Sequence, residues 1–397
     1  MADGVKKVPI ACWLCRRKFQ SKEQLAKHEK LSELHKKNLA AQVESFLDRK
    51  QAVVQEMQHQ RPHVEANNPA YRSLESELGK IQSYLERQHL VSKGEVAPGE
   101  FELAVGDMML VAKRSSWQGN KETQEDLAIC EEVVCPGFQG AFFGVFDGHN
   151  GPRCAEYLVN KLVPAFRQIL STKARPCTSE IIKSALHESF ILTDDDFLQL
   201  AFAHQMLDGS TAVCCVIWHD AARDRHVLFS AHVGDSRAVL QQKGKAIRLT
   251  EDHKPERDDE RKRVVSAGGK VADFGGIWRV CTPHPVAFAG QTVTWALAVS
   301  RSFGDVPLKS PLTLMSAVPE VNYRDLCDDD SGIILACDGI FDVMSDQEVV
   351  DCANQNPRND AEAVTRRSYE KQSGDNLTTL TVRFLRNGEK APKRRKT

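Results

Sequence analysis

Five aspartates at the ends of apolar runs are the feature that most constrains the fold of this chain. Because an Asp that follows a β run and precedes Gly lies where a strand leaves the core, its carboxylate can face solvent while its backbone stays fixed. Taken alone, each is explained as a turn former; taken together, they predict carboxylates gathered at strand ends. They are Asp147 in FFGVFDGHNG, Asp235 in HVGDSR, Asp338 and Asp342 in ILACDGIFDV, and Asp375 in SGDNLTTLTV.

Such a set of carboxylates indicates hard divalent cations. Mg²⁺ and Mn²⁺ prefer oxygen ligands, and two such ions roughly 3.5 to 4 Å apart can bridge a water molecule and lower its pKa towards neutrality. The sequence therefore predicts a hydrolytic metal centre on a scaffold that contains many β-strands.

The C-terminal part of the chain mixes strand and helix patterns. Apolar runs predict strands at 141–146, 212–218, 226–233, 295–299, 332–337 and 378–384. Apolar residues at helical spacing predict helices over 153–170, 179–200 and 256–267, and Ser345 with Glu348 forms a capping box ahead of another helix. Since a short polar turn joins 212–218 to 226–233, antiparallel hairpins are favoured over βαβ crossovers.

Composition restricts the class and the compartment of the protein. The 397 residues, 41% of them hydrophobic, are enough to fill a sizeable core. No run approaches 18 consecutive apolar residues and the N-terminus lacks the apolar stretch of a signal peptide, so we expect neither a membrane partner nor secretion. The twelve cysteines show no disulfide-scaffold rhythm, which indicates reduced thiols in the cytosol or nucleus.

Residues 1–38 carry cysteines and histidines at zinc-finger spacing. Cys12 and Cys15 are separated by two residues, Cys15 and His28 by twelve, and His28 and His35 by six. Thiolates and imidazoles suit tetrahedral Zn²⁺, so a small ββα finger is predicted; the alternative is a helical segment with chance Cys and His residues. The string CWLCRRKFQSKEQLAKHEKLSELHKKNL resembles the single finger of RNA-binding-motif splicing regulators, including the long gap between its histidines.

Both ends of the chain are basic. Residues 1–50 contain twelve Lys and Arg against six Asp and Glu, and the tail at 386–397 ends in KAPKRRKT. We expect RNA or a ribonucleoprotein as a partner of the finger and a nuclear location, with the cytoplasm as a second compartment, although a charge run is more often only a solvated tail. The stretch at 39–100 predicts a helical connector whose apolar stripes either fold back on the protein or bind a partner.

Eight strings of the C-terminal part resemble, in order, the metal-dependent serine/threonine protein phosphatases of type 2C. The match defines a domain at 101–385 and implies an α+β fold, in which two packed antiparallel β-sheets are flanked by helices on both faces as an αββα sandwich. The implied metal site lies in a cleft at one end. The strings are FFGVFDGHNG, DGSTAVCCVI, HVGDSRAVL, LTEDHKP, SAGGKV, LAVSRSFGD, ILACDGIFDVMS and SGDNLTTLTV.

The resemblance assigns ligands to Mg²⁺ or Mn²⁺. It implies that Asp147 bridges two ions, that the backbone carbonyl of Gly148 also binds one of them, and that Asp338 and Asp375 complete the second ion's protein ligands. A weaker third position is implied at Asp235, Asp338 and Asp342. Few carboxylates per ion leave room for water, which both metals tolerate.

Residues around these ligands receive supporting roles from the same resemblance. Glu125 and Asp126 match an acidic pair that holds metal-bound waters, and Asn376 either supports the site or serves only the turn. Lys121 stands where the family most often has a phosphate-gripping Arg, so we expect phosphate binding with looser orientation. Arg114, the nearest alternative, has the wrong offset from Glu125.

His149 occupies the general-acid position of the family. An imidazole can protonate a leaving seryl or threonyl oxygen near neutral pH; the alternative is a His satisfied by turn hydrogen bonds. A cysteine-phosphatase mechanism is excluded, since Cys337 is not followed by five residues and an Arg. The segment 272–295 is longer than the family pattern, and Trp278, His284 and Phe288 within it are candidates for shaping substrate choice.

Together these observations predict a protein phosphatase that hydrolyses phosphoserine and phosphothreonine in phosphoproteins. Its finger would direct it to RNA-associated or nuclear substrates, and we expect a monomer. The alternative is a nucleic-acid or protein-binding adaptor that uses the phosphatase fold as a scaffold without catalysis.

Overall fold

The computed structural model describes residues 100–173 and 176–386, together with the backbone of residues 10–11 and 18–19. The chain divides into two compact units, residues 1–95 and 96–397. In the first unit, strands β1 (Ile10–Ala11) and β2 (Lys18–Phe19) pair antiparallel. The residues predicted to bind zinc, almost all of the connector and nearly the whole basic tail lie outside the described residues; the zinc ligands concerned are Cys12, Cys15, His28 and His35.

The second unit is built from strands and helices along the whole segment. Its strands are β3 (Glu100–Val105), β4 (Met108–Trp117), β5 (Leu127–Cys135), β6 (Phe138–Phe146), β7 (Gly148–His149), β8 (Gly209–Ser210), β9 (Ala212–Asp220), β10 (Arg225–Val233), β11 (Arg237–Gln242), β12 (Lys245–Arg248), β13 (Lys270–Asp273), β14 (Trp278–Cys281), β15 (Val286–Phe288), β16 (Gln291–Val293), β17 (Ala296–Leu297), β18 (Phe303–Gly304), β19 (Glu320–Asp325), β20 (Asp330–Ala336) and β21 (Leu377–Leu385). Its helices are α1 (Arg153–Thr172), α2 (Ser179–Ala203), α3 (Asp258–Ser266), α4 (Val306–Lys309), α5 (Asp338–Phe341), α6 (Asp346–Gln355) and α7 (Asp360–Glu370).

Two antiparallel sheets form the centre of this unit. One has five strands in the order β19-β10-β9-β6-β5, and the other has six in the order β12-β11-β20-β21-β4-β3. The expected hairpin is present, because β9 pairs with β10 and Val233 lies opposite Ala212. Helices α1 and α2 pack against the five-stranded sheet, while α6 and α7 pack against the six-stranded sheet. The predicted arrangement of antiparallel sheets with flanking helices is confirmed.

Alternation along the strands explains how each sheet faces two layers. In β6, Phe138, Phe142 and Phe146 share a buried cluster with residues of α1 and α2. The intervening Phe143 and Val145 belong to a second cluster that includes the six-stranded sheet. Successive side chains of a strand point to opposite faces, so a strand that is apolar at every position is buried on both.

Helix ends follow their local sequence. Thr178 caps α2 by accepting a hydrogen bond from the backbone N–H of Ile181 at 3.3 Å. Ser345 and Glu348 form the predicted capping box at the start of α6. Among the described helices, none combines the length and apolarity needed to cross a bilayer.

The long segment 272–295 folds into β13 to β16 and, with its neighbours, forms a flap. Strands β13, β14 and β17 make a three-stranded sheet, and β15 pairs with β16. The prediction of a strand over 295–299 is wrong in extent, because only Ala296 and Leu297 pair, and they pair with β14. Phe288 is buried, and its ring centroid lies 6.2 Å from that of Phe202 in α2, so it packs the flap against this helix.

A third hydrophobic cluster, the flap cluster, joins β14 of the flap to α3, α4 and the segment that follows α4. Arg263 of α3 holds the backbone next to this cluster, because its guanidinium donates to the carbonyl oxygens of Leu314 at 2.9 Å and Ser300 at 2.6 Å. The buried members of this flap cluster are Val264, Val280, Val299, Leu308, Leu314 and Met315.

Candidate metal centre

Strand register brings the predicted metal ligands to one end of the sandwich. Asp147 follows β6 and Asp235 follows β10. The pairings of β6, β9 and β10 place the C-terminal ends of β6 and β10 at the same end of the five-stranded sheet. Asp338 follows β20 and begins α5, and Asp375 lies two residues before the start of β21. Ala336 of β20 lies opposite Thr379 of β21, so Asp338 and Asp375 lie at the same end of the six-stranded sheet. Asp342 comes at the end of α5.

Electrostatics show that these carboxylates act on one another. Burial raises the pKa of Asp147 well above its ordinary value, and the charges of Asp126, Asp338, Asp235 and Asp375 raise it further. Burial likewise raises the pKa of Asp338, with Asp235, Asp342 and Asp375 adding to the shift. Burial is also the main cause of the raised pKa of Asp342. The five aspartates and Asp126 therefore form one mutually repelling group.

The carboxylate of Asp126 indicates that this group of aspartates suits a cation. It is buried, and neither carboxylate oxygen has a hydrogen-bond partner of good geometry among the described residues. Burial raises its pKa to about 6, although Thr378 and Cys337 lie close enough to lower it in part. Buried carboxylate oxygens without partners are costly unless a cation or ordered water meets them. A donor set made of such oxygens fits Mg²⁺ or Mn²⁺.

Lys121 lies against the ligand carboxylates. Its ammonium Nζ is 2.8 Å from Oδ1 of Asp375, and half of its side chain is exposed. Burial lowers the pKa of Lys121, but the hydrogen bond and charge of Asp375, together with Asp147 and Asp338, outweigh it and the pKa is raised. Arg114 instead donates to the carbonyl oxygen of Ala128 from within β4, away from this role.

Lys254 is a second cation in the group, and its role was not predicted from the sequence. Its Nζ lies 2.5 Å from Oδ2 of the buried Asp235. Burial lowers the pKa of Lys254, but Asp235, Asp338 and Asp342 raise it strongly overall. The residue lies inside LTEDHKP, so the string marked its position but not its role.

His149 is held by a small sheet made of distant segments. Strand β8 pairs with both β7 and β18, so that Gly209 lies opposite both His149 and Gly304. Asp305 follows β18, and its two carboxylate oxygens lie 3.0 and 2.9 Å from Nε2 of His149. Burial lowers the pKa of His149, but the charge and hydrogen bond of Asp305 lead the opposing causes and the pKa is raised. Asp305 was not predicted from the sequence.

Asn376 ties the loop of Lys121 to the start of β21. Its side chain accepts from the backbone N–H of Glu125 at 2.9 Å and donates to the carbonyl oxygens of Gln118 and Thr123 at 2.9 and 2.8 Å. The Glu125 carboxylate in turn accepts from the hydroxyl of Thr123 at 2.8 Å and from a backbone N–H. Asn376 therefore holds the loop at 118–125 as well as its own turn.

Gly148 and Cys337 are both closely packed. A Cβ at Gly148 would lie 2.6 Å from the carbonyl oxygen of Glu125, so only glycine fits there without movement. Cys337 is buried beside Asp126 and Asp147. Burial raises the pKa of its thiol well above the ordinary value, with the neighbouring aspartates adding to the effect. A protonated thiol is a poor nucleophile, which agrees with the exclusion of a cysteine mechanism.

Comparison with known proteins identifies this arrangement. The model of the family "Protein phosphatase 2C" matches residues 112–377. A rice protein named probable protein phosphatase 2C member 13, mitochondrial, is 38% identical over 272 residues, which is 68% of this chain and 67% of the relative. Rice probable protein phosphatase 2C 52 is 36% identical and Arabidopsis thaliana probable protein phosphatase 2C 76 is 34% identical, each over 70% of this chain. The matches span 51% and 60% of those two relatives, respectively.

Solved structures share the fold. A serine-threonine phosphatase 2C from Toxoplasma gondii superposes with a TM-score of 0.60 at 24% identity, covering 73% of this chain and all of the other. A sex determining protein of C. elegans superposes with a TM-score of 0.60 at 23% identity, covering 82% of this chain and 76% of the other. The chain belongs to the protein phosphatase 2C family of protein-serine/threonine phosphatases.

Proposed function

We propose that this chain hydrolyses phosphoserine and phosphothreonine in phosphoproteins with Mg²⁺ or Mn²⁺ as cofactor. The observation that carries the proposal is the mutually repelling group of aspartates, with the partnerless buried oxygens of Asp126 among them. A fold that only served as a scaffold would gain stability by losing these charges, because buried like charges repel.

Six groups of the protein would supply the metal ligands. Asp147, the carbonyl of Gly148, Asp338 and Asp375 would hold two ions, and Asp235 and Asp342 would add to a third position with Asp338. When bound, the ions supply Lewis-acid activation of water and of the phosphate. Asp126 and Glu125 would accept hydrogen bonds from water ligands of the ions. Asn376 would keep their loop in position, since its side chain accepts from the backbone N–H of Glu125.

Two side chains would act on the substrate directly. Lys121 can move from Asp375 to a phosphate oxygen, because its side chain is half exposed and a single ammonium imposes little orientation. His149 uses Nε2 to meet Asp305, which leaves Nδ1 to donate a proton to the departing seryl or threonyl oxygen. Asp305 stabilises the protonated imidazole between turnovers.

Metal-dependent phosphate release tests the proposal. With Mn²⁺, the purified chain should release phosphate from a phosphothreonine peptide and p-nitrophenol from p-nitrophenyl phosphate, and EDTA should abolish both reactions until Mn²⁺ is added in excess. No turnover under these conditions would favour the adaptor that lacks catalysis.

The N-terminal unit supplies the targeting part of the proposal. We infer a zinc finger from Cys12, Cys15, His28 and His35, and the antiparallel pairing of Ile10–Ala11 with Lys18–Phe19 on either side of the Cys pair in the sequence supports it. A basic finger of this kind would recruit RNA-associated phosphoproteins, and the basic tail would support a nuclear location, with some protein in the cytoplasm. The division at 1–38, 39–100, 101–385 and 386–397 and the monomeric state are parts of the same proposal.

A finger variant should separate targeting from catalysis. Replacing Cys12 and Cys15 with Ser removes two zinc ligands, and we expect zinc content to fall by one equivalent while kcat/KM on p-nitrophenyl phosphate stays within about twofold of the parent, since the catalytic group lies in the other unit. RNA retention and nuclear enrichment should decrease. A collapse of turnover would show that the two parts are not modular.

A further inference from the structure

Lys254 contacts a carboxylate that the proposed function gives to a metal ion. Its ammonium contacts Asp235 at 2.5 Å, and its charge also acts on Asp338 and Asp342. These are the three carboxylates of the third cation position. Asp235 is buried, so it requires a positive partner whether or not an ion is present.

The backbone holds Lys254 at this place. The N–H of His253 donates to the carbonyl oxygen of Gly234 at 2.9 Å, and the N–H of Gly234 donates back to Nδ1 of His253 at 3.2 Å. This reciprocal pair joins the residue before Asp235 to the residue before Lys254. The ammonium is therefore presented to Asp235 by two fixed segments, and only a third of its side chain is exposed.

Lys121 provides a contrast within the same site. Its side chain is 51% exposed, against 33% for Lys254. It lies in the turn between β4 and β5 and contacts Asp375, one of the ligands of the first two ions. An exposed lysine on a turn can leave its carboxylate at little cost. Lys254 is more buried and its backbone is fixed by the two hydrogen bonds between His253 and Gly234, so its departure from Asp235 costs more.

We propose that Lys254 is a built-in counter-ion at the third cation position and that it competes with a third divalent ion there. The inference rests on the proposed dinuclear function and assigns to Lys254 the low affinity that the resemblance implies for the third position. An arriving ion must displace an ammonium that is covalently tethered and already in contact with Asp235. The free energy of binding of the ion is therefore reduced by the ammonium–carboxylate attraction that is lost.

Counting bound Mn²⁺ tests the inference without using activity. We expect equilibrium dialysis of the full zinc-loaded chain to show two tight Mn²⁺ equivalents, and Lys254→Met to bind a third with an affinity raised roughly tenfold or more. Lys254→Arg, which keeps the cation, should bind as the parent does. Lys243→Met removes a charge from an exposed lysine paired with Asp329 and should leave the stoichiometry at two.

Each result has a distinct meaning. Adding Asp235→Asn to Lys254→Met should remove the third ion, which would confirm the location. If the parent bound two ions and Lys254→Met also bound two, or if Lys254→Arg gained a third, the inference would be overturned while the proposed function stood. A parent chain that bound no Mn²⁺ would refute the proposed function itself. The Mn²⁺-induced rise in melting temperature, larger for Lys254→Met than for the parent, provides a second readout of binding.

Discussion

Replacing Asp147 with Asn is expected to lower kcat/KM for a phosphothreonine peptide by roughly a thousandfold or more, because an amide cannot supply the charge that two ions would share. The same change should leave the free energy of unfolding in EDTA unchanged or higher. Burial and four neighbouring carboxylates raise the pKa of Asp147, so its ionised form opposes folding when no cation is bound. Steady-state kinetics with Mn²⁺ and urea unfolding in EDTA measure the two effects.

The combination of lost activity and retained stability is the informative result. Asp328→Asn is the matched control, since Asp328 is fully exposed and lies 3.4 Å from Arg386 at the surface. It should change neither quantity, because exposed ion pairs contribute little. Substantial turnover in Asp147→Asn would show that the ions, or the reaction, do not depend on this carboxylate.

Gly209→Ala is expected to lower kcat for a phosphothreonine peptide by roughly ten- to a hundredfold while affecting p-nitrophenyl phosphate much less. A Cβ at Gly209 would lie 2.3 Å from Nε2 of His149 and 2.4 Å from Oδ2 of Asp305, so one of these side chains must move and their pair is broken. A poor leaving group needs the proton that His149 would donate, whereas nitrophenolate leaves without one. The ratio of the two kcat values is the measurement.

A glycine in an exposed turn supplies the control for this change. Gly244 has φ of 76°, and a Cβ added there would meet no described atom within 4 Å, so Gly244→Ala carries backbone strain of about 1 kcal/mol without touching the site. We expect its two kcat values to match those of the parent. Equal losses on both substrates in Gly209→Ala would indicate general damage to the site and would count against a role for His149 in proton transfer.

Much of the sandwich could be predicted from the sequence because its central strands are apolar at consecutive positions. The run at 212–218 became β9 and the run at 226–233 became β10, each within two residues at its ends. The strands β4 and β5 were not predicted, since they carry polar stretches such as KRSS and EE that break the apolar pattern. Tertiary pairing, rather than local pattern, makes those strands.

Part of the candidate site could be predicted from the sequence and part could not. The aspartates were found because each follows or precedes an apolar run, and the family resemblance supplied their order. Asp305 and Lys254 were missed because their partners, 156 and 19 positions away, are brought to them by tertiary contacts. The pairing of β7, β8 and β18, each of two residues, brings Asp305 to His149 across 156 positions. No periodicity can be read from strands so short.

The separate flap cluster around Val264, Val280 and Leu314 has a consequence for how the protein varies. Because these side chains form a cluster distinct from the two that fill the sandwich, substitutions among them should affect the sandwich less than substitutions in its own clusters. Amide hydrogens of β13 and β14 should therefore exchange with deuterium sooner than those of β9 and β20. Sequence change can therefore accumulate in the flap cluster while the two clusters of the sandwich keep their packing.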